Sequence, residues 1–272
     1  METEKYLKRV VLASDVYAVC IQHALTTEKQ EIMGLLIGQT DEKKCMSVIS
    51  ACKILHRSDK QPDRVEISPE QLCEASVYAE QLQYSLKRPM RVVGWYHSHP
   101  HITVWPSHVD IGTQATYQMM DSLFVGVIFS VYQGDPRIRT NQVQLTCFQA
   151  QTQSDGKLER REVPLFIENT AFQLYNIQGI ANLSKILIQE EIESHDVKDD
   201  KSSDPITRLH NDAVKTLALS HIVSKVSLPM CEGLVERLNA TKQRIQELES
   251  IKADLLAKKT KINVCTTETK EH

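Results

Sequence analysis

No run of about 18 consecutive apolar residues occurs anywhere in the 272-residue sequence, so no membrane-spanning helix is expected. There is no excess of basic charge. Lys and Arg number 32 against 35 Asp and Glu, for a net charge of −3 and a pI of about 6.4. A nucleic-acid footprint, which needs a basic face, is therefore not expected. The opening Met1-Glu2-Thr3-Glu4-Lys5 is charged and lacks the apolar core of a secretion signal. The seven cysteines, at 20, 45, 52, 73, 147, 231 and 265, form no C-x-x-C pair, which argues against a zinc finger. Odd in number and scattered, they are expected to be buried reduced thiols of an intracellular protein. Two zinc-enzyme signatures are absent as well: the helical H-E-x-x-H and the H-x-E with P-C-x-x-C of nucleobase deaminases. No cysteine sits in a context that would activate it as a nucleophile, and there is no internal repeat. With an ordinary apolar fraction of 41%, the length allows one large domain or a domain with an appendage.

What is present begins with alternating strand and helix signals over the first 150 residues. Arg9–Leu12 reads as a short strand. Ser14 is then expected to cap a helix to about Leu25 that buries Val16, Val19, Cys20, His23 and Ala24 on one face. Residues 31–37 and 46–54 read as strands joined by the polar turn 39–42. Ser68-Pro69-Glu70-Gln71 combines a capping serine, a proline at the first helical position and a glutamine three after the cap, so a helix should run from there to about Leu86. Strands are expected at 91–97, 122–131 and 141–149, with a helix opened by Pro106 and running to about Asp121. Residues 151–162 are polar and read as a loop. Helical apolar spacing covers 166–192, through Phe172, Tyr175, Leu183 and Leu187. The polar stretch 194–205 cannot bury a core and reads as a linker. A further helix is expected over 206–227, broken by Pro229. Leu234, Leu238, Ile245, Leu248 and Leu255 then follow at steps of four and three, with Thr241 and Lys252 as polar members of the same seam. That is the pattern of a helix that pairs with another helix. The alternative is a single amphipathic helix packed on its own domain.

The densest chemistry lies at Gly94-Trp95-Tyr96-His97-Ser98-His99-Pro100 and Pro106-Ser107-His108-Val109-Asp110. His, His and Asp are zinc ligands, and three protein ligands leave a fourth tetrahedral position for water, as in catalytic zinc sites. Alternate residues of a strand share a face, so His97 and His99 can reach one ion. Ser107 and Asp110, three apart at a helix start, face one side. Asp110 is then the third ligand, and Ser107 is placed to donate to a developing oxyanion. Upstream, Glu31 opens the apolar run Ile32–Leu36 and is the candidate general acid/base. Singly, each of these residues has an ordinary explanation, a His-x-His pair on a strand surface or a solvated glutamate. Four of the ten histidines, however, fall within twelve positions just after an apolar strand. His101 follows Pro100, where strand geometry should be lost, and His108 should point away from the Ser107/Asp110 face. Both are expected at the surface or on the substrate side.

Glu31, His97-Ser98-His99-Pro100, Ser107 and Asp110, with six residues between Pro100 and Ser107 and two between Ser107 and Asp110, together resemble the JAMM (MPN-plus) metalloprotease signature, E…H-S/T-H-P-x6-S-x2-D. The resemblance implies an α/β fold: an MPN domain with a mixed, curved β-sheet flanked by helices, over residues 5–150. A connecting loop and helix (151–193), the linker (194–205) and a C-terminal helical, coiled-coil dimerisation arm (206–260) follow. It implies one zinc on His97, His99 and Asp110, Glu31 as general acid/base, Ser107 as oxyanion stabiliser, and hydrolysis of isopeptide bonds to ubiquitin or a ubiquitin-like protein. Within the family, residues 94–107 are very similar to the lysine-63-specific deubiquitinase branch. That similarity implies a polyubiquitin substrate and pairing with an Abraxas-type MPN-minus pseudo-deubiquitinase through the MPN core and the C-terminal helices. It further implies a higher-order BRISC-like assembly and a place in cytoplasm and nucleus, with no direct contact to nucleic acid or membrane. Another JAMM isopeptidase, such as a deneddylase, and a non-catalytic MPN scaffold are the competing readings. Linkage choice would depend on residues around 55–66, 101–105 and 132–140.

Overall fold

The computed structural model describes residues 6–57, 67–135, 140–196 and 204–268. Most of the segments 55–66 and 194–205, and part of 132–140, therefore lie outside the described residues. Two compact units divide the chain, residues 1–211 and 212–272. The first is built on an eight-stranded mixed sheet. Its strands are β1 (Arg9–Ala13), β2 (Met33–Asp41), β3 (Met46–Ile54), β4 (Arg91–Pro100), β5 (Val125–Asp135), β6 (Thr140–Thr152), β7 (Leu158–Glu162) and β8 (Leu165–Glu168), in the order β7-β6-β5-β4-β2-β3-β1-β8. The β1–β3, β1–β8 and β4–β5 pairs are parallel and the others antiparallel. Central β2 is apolar and buried from Met33 to Gly38, as expected of a strand covered on both faces.

Helices α1 (Ser14–Ala24), α2 (Pro69–Leu86), α3 (His108–Met120) and α4 (Leu174–Asp196) flank the sheet. Helix α1 buries the face expected of it, Val16, Val19, Cys20, His23 and Ala24, together with Asp15. Its cap differs from expectation. Ala13 occupies the N-cap without a side-chain bond, and the Ser14 hydroxyl lies 3.3 Å from the Thr170 carbonyl oxygen. Asp15 is the residue that ties in later chain: its carboxylate accepts from the Gln173 backbone N–H at 3.0 Å and from Asn176 Nδ2 at 2.7 Å. The capping box opening α2 forms as its sequence predicts. The Gln71 N–H donates to Ser68 Oγ at 3.2 Å and the Ser68 N–H to Gln71 Oε1 at 3.1 Å. Ala75, Ala79 and Leu82 of α2 pack on the sheet, with Met33, Leu35, Trp95, Ile128 and Phe148 at the centre of the core.

The main departures follow residue 120. Strand β5 begins at Val125 rather than 122, because Asp121–Phe124 forms a turn in which the Phe124 N–H donates to the Asp121 carbonyl. The polar segment 151–162 is not all loop: β6 continues to Thr152, and β7 forms an exposed edge strand. Phe166 is not helical but lies in β8, paired with Val11 of β1, and α4 starts only at Leu174. An edge strand has one paired neighbour and needs little local apolar pattern, so neither strand is evident in the sequence. Beyond α4 come α5 (Pro205–Ile222), a π-helical turn (Val223–Ser227) and α6 (Leu228–Glu268). Pro229 does not break the chain's helical course. It follows directly on the π-helical turn, where the Leu228 N–H already bonds five residues back to the Val223 carbonyl and the regular ladder that a proline would break is interrupted. The cysteines are reduced among the described residues but not uniformly buried: Cys20, Cys52 and Cys147 are buried, whereas Cys73 and Cys231 are exposed.

Candidate metal centre

Strand β4 runs on through His99 and Pro100, further than its apolar pattern implies. Its side chains alternate. Tyr96 faces α1, where its hydroxyl lies 3.0 Å from His23 Nδ1. Trp95, His97 and His99 take the other face, and the Trp95 ring stacks on that of His97 with centroids 4.6 Å apart. Trp95 is fixed in turn by donating to Gln114 Oε1 of α3 at 2.8 Å. Opposite Tyr96 in β2 stands Gly34, where any Cβ would lie 2.3 Å from the Tyr96 ring. Glycine is thus what lets β2 and β4 close together beside Glu31.

Helix α3 presents the acid. Ser107 is its N-cap, so the helix begins two residues later than a Pro106 start implies. The Asp110 N–H donates to Ser107 Oγ at 3.2 Å, and the Ser107 N–H donates to Asp110 Oδ2 at 2.7 Å. The capping box holds Asp110 against the histidines. His97 Nε2 is 3.4 Å from Asp110 Oδ1, His99 Nε2 is 3.6 Å from Oδ2, and the two Nε2 atoms are 3.1 Å apart. Three such donor atoms converge within 4.8 Å of one another. A tetrahedral ion bound at about 2.0–2.1 Å needs donors roughly 3.3 Å apart, so the set fits zinc in size and chemistry. His99 Nδ1 lies 2.7 Å from the Thr103 carbonyl oxygen. Since a carbonyl accepts only, Nδ1 carries the proton and Nε2 turns its lone pair toward the other donors. Two nitrogen lone pairs this close repel unless a proton or cation lies between them.

The electrostatics carry the same message. Burial works against the charged form of Asp110, but the neighbouring His97 and His99 rings outweigh it and hold the carboxyl well below the usual range. For His99, burial lowers proton affinity, yet the neighbouring Asp110 carboxylate, the Thr103 carbonyl and the charge of Glu31 outweigh it and raise the pKa. The site thus attracts positive charge to the point between its donors. Glu31, half-buried just ahead of β2, lines the same cavity of about 490 Å³ as His97, His99, Ser107 and Asp110. Ser107 Oγ accepts the cap bond and keeps its own proton for donation. Ile102, Trp105 and Val109 border the cavity and are exposed. His101 and His108 lie outside its lining and are exposed. The His101 ring stacks on Tyr132 at 5.6 Å, with its backbone in the left-handed region at φ 60°. The Thr103 carbonyl, Trp95 and Gln114 support the ligands without any motif to announce them, because they act through the fold rather than through spacing.

The pattern of the family described as JAB1/Mov34/MPN/PAD-1 ubiquitin protease matches residues 5–122, and that of the BRCC36 C-terminal helical domain matches residues 176–255. The chain is 46% identical to the Lys-63-specific deubiquitinase BRCC36 of Xenopus laevis over 253 residues, which cover 92% of this chain and 97% of that protein. It is 47% identical to the protein of the same name from Camponotus floridanus, over 89% and 93% of the two chains. For the Bos taurus protein the identity is 40%, over 92% and 95%. The chain belongs to the JAB1/Mov34/MPN/PAD-1 ubiquitin protease family, in the branch that carries the BRCC36 C-terminal helical domain.

Proposed function

We propose that this chain is a zinc-dependent deubiquitinase that hydrolyses isopeptide bonds in lysine-63-linked polyubiquitin. Its relatives bear that activity in their names. The observation that carries the reading is the convergence of His97, His99 and Asp110 at a cavity that Glu31 and Ser107 also line. His97, His99 and Asp110 would hold the metal. Zinc bound there would supply Lewis acidity, lowering the pKa of water and polarising the scissile carbonyl. Glu31 takes the proton of the attacking water and passes it to the departing lysine amine. The Ser107 hydroxyl donates to the oxyanion that develops as the carbonyl carbon becomes tetrahedral. Asp110, anchored by the Ser107 N–H, and His99, anchored by the Thr103 carbonyl, are spared reorganisation as charge moves. Ile102, Trp105 and Val109 offer apolar contact to the extended substrate tail.

Residues 5–150 serve as the catalytic domain and 206–260 as the arm that pairs with an Abraxas-type MPN-minus pseudo-enzyme, within a BRISC-like assembly of cytoplasm and nucleus. The BRCC36-type helical domain and the apolar seam of α6 support that part of the reading. Elemental analysis combined with a diubiquitin assay tests the centre. About one zinc per chain is expected, and His97→Ala, His99→Ala and Asp110→Ala should each lose most of it together with cleavage. Undiminished cleavage by a ligand variant would overturn the assignment.

A further inference from the structure

The loop that presents Glu31 is held at both ends. At its start the Tyr132 hydroxyl donates to the Leu25 carbonyl at 2.5 Å. At its end the Ile32 N–H donates to Ser98 Oγ at 3.0 Å, and the Ser98 N–H to the Ile32 carbonyl at 2.9 Å. Between these anchors, Arg57 Nη1 donates to Gln30 Oε1 at 2.5 Å, one residue before Glu31. Arg57 is itself fixed by a carboxylate from far along the chain. Glu190 of α4, 3% exposed, accepts from Arg57 Nη2 at 2.7 Å, from Nε at 3.1 Å and from the Arg57 backbone N–H at 2.9 Å. His56 beside it lies 2.8 Å from Glu193, one turn further on α4.

We propose that Glu190, Arg57 and Gln30 form a clamp through which helix α4 sets the position of Glu31, with Gln30 and Arg57 as positioning residues for proton transfer. The inference rests on Glu31 being the base, as proposed above. A buried ion pair adds little net stability, because desolvation offsets much of the attraction. What the guanidinium adds is geometry: its planar fork holds two carbonyl-type oxygens in fixed directions at once. One side of the fork grips α4 and the other grips the Glu31 loop. Proton transfer is sensitive to position, and a displacement of about 1 Å is enough to slow it by about two orders of magnitude.

Arg57→Ala or Glu190→Ala would strand a buried charge and risk misfolding, so the informative variant is Gln30→Leu. It keeps the Arg57–Glu190 pair and most of the side-chain bulk and removes the acceptor. Gln30→Glu, which keeps an acceptor for Arg57, is the rescue. The test uses the full, zinc-loaded chain, alone and with an MPN-minus partner, and measures amide hydrogen exchange over residues 25–32 beside kcat and KM on lysine-63-linked diubiquitin. Gln30→Leu is expected to exchange faster in that segment and to lose about 10- to 100-fold in kcat, at unchanged KM, zinc content and melting temperature. Gln30→Glu is expected to restore most of both. Unchanged exchange, or an unchanged kcat, in Gln30→Leu overturns the inference. Faster exchange in Gln30→Leu than in the wild type, together with no cleavage of ubiquitin chains by the wild type, supports the clamp and overturns the functional reading instead.

Discussion

His23 shows how the environment of a single residue sets a property of the whole chain. It lies against Tyr96 with 1% of its surface exposed. Burial, followed by the positive charge of Arg57, lowers its pKa to about 3. Its ordinary value of about 6.5 returns when the chain unfolds. Between about pH 6.5 and 3 the unfolded chain therefore binds a proton that the folded chain does not. The stability associated with neutral His23 is fully present above pH 6.5 and is lost as pH falls, by up to about 1.4 kcal/mol per pH unit across that window. In metal-free protein, where zinc release does not contribute, His23→Asn should flatten the fall in unfolding free energy between pH 7 and pH 4. Denaturant titrations at several pH values would show it, and an unchanged slope would mean that other groups carry the acid sensitivity. The five candidate residues that share the cavity could be picked out of the sequence because each obeys a local rule: alternation along a strand for His97 and His99, spacing of three at a helix start for Ser107 and Asp110, and an apolar run behind Glu31. The burial of His23 followed from helical spacing, but its bond to Tyr96, and the roles of Gln30 and Arg57, obey no such rule. Those contacts arise between residues 73, 27 and 133 positions apart.

Among the elements, α6 poses the plainest physical question. Its seam residues Leu238, Ile245, Leu248 and Leu255 are 52%, 50%, 49% and 60% exposed, and none of the described side chains of this long helix is buried. An apolar stripe repeating at steps of three and four is stable in water once a second helix covers it. Leu238→Asp combined with Ile245→Asp should abolish association with an MPN-minus partner and leave zinc content unchanged. Light scattering of the mixed proteins checks this, and an unaltered complex mass would remove the seam from the interface. The seam and the capping box of α2 were readable because helices write their period and their caps into adjacent residues. Strands β7 and β8 were hidden because an edge strand is defined by its partner. Phe166 and Ile167, exposed in β8, look like the start of a helix until β1 is beside them.

For the whole molecule, the family pattern covers residues 5–122 and the helical-domain pattern residues 176–255. Helix α4 lies in the second pattern yet packs in the first compact unit, where Glu190 reaches Arg57. The succession of strands and helices and the helical extension were legible in outline because the alternation of periods two and three to four survives along the chain, whereas the mixed sheet was expected from the family resemblance alone. Its strand order was not, since a topology that places β4 between β2 and β5 is settled by long-range pairing. In the proposed mechanism Glu31 works as the proton carrier beside zinc held by His97, His99 and Asp110. Cleavage of lysine-63-linked diubiquitin by Glu31→Gln and wild-type chains at matched zinc content tests it most directly. About one zinc is expected in each, with a turnover about 10²- to 10⁴-fold lower in Glu31→Gln. Equal turnover at equal zinc would contradict it.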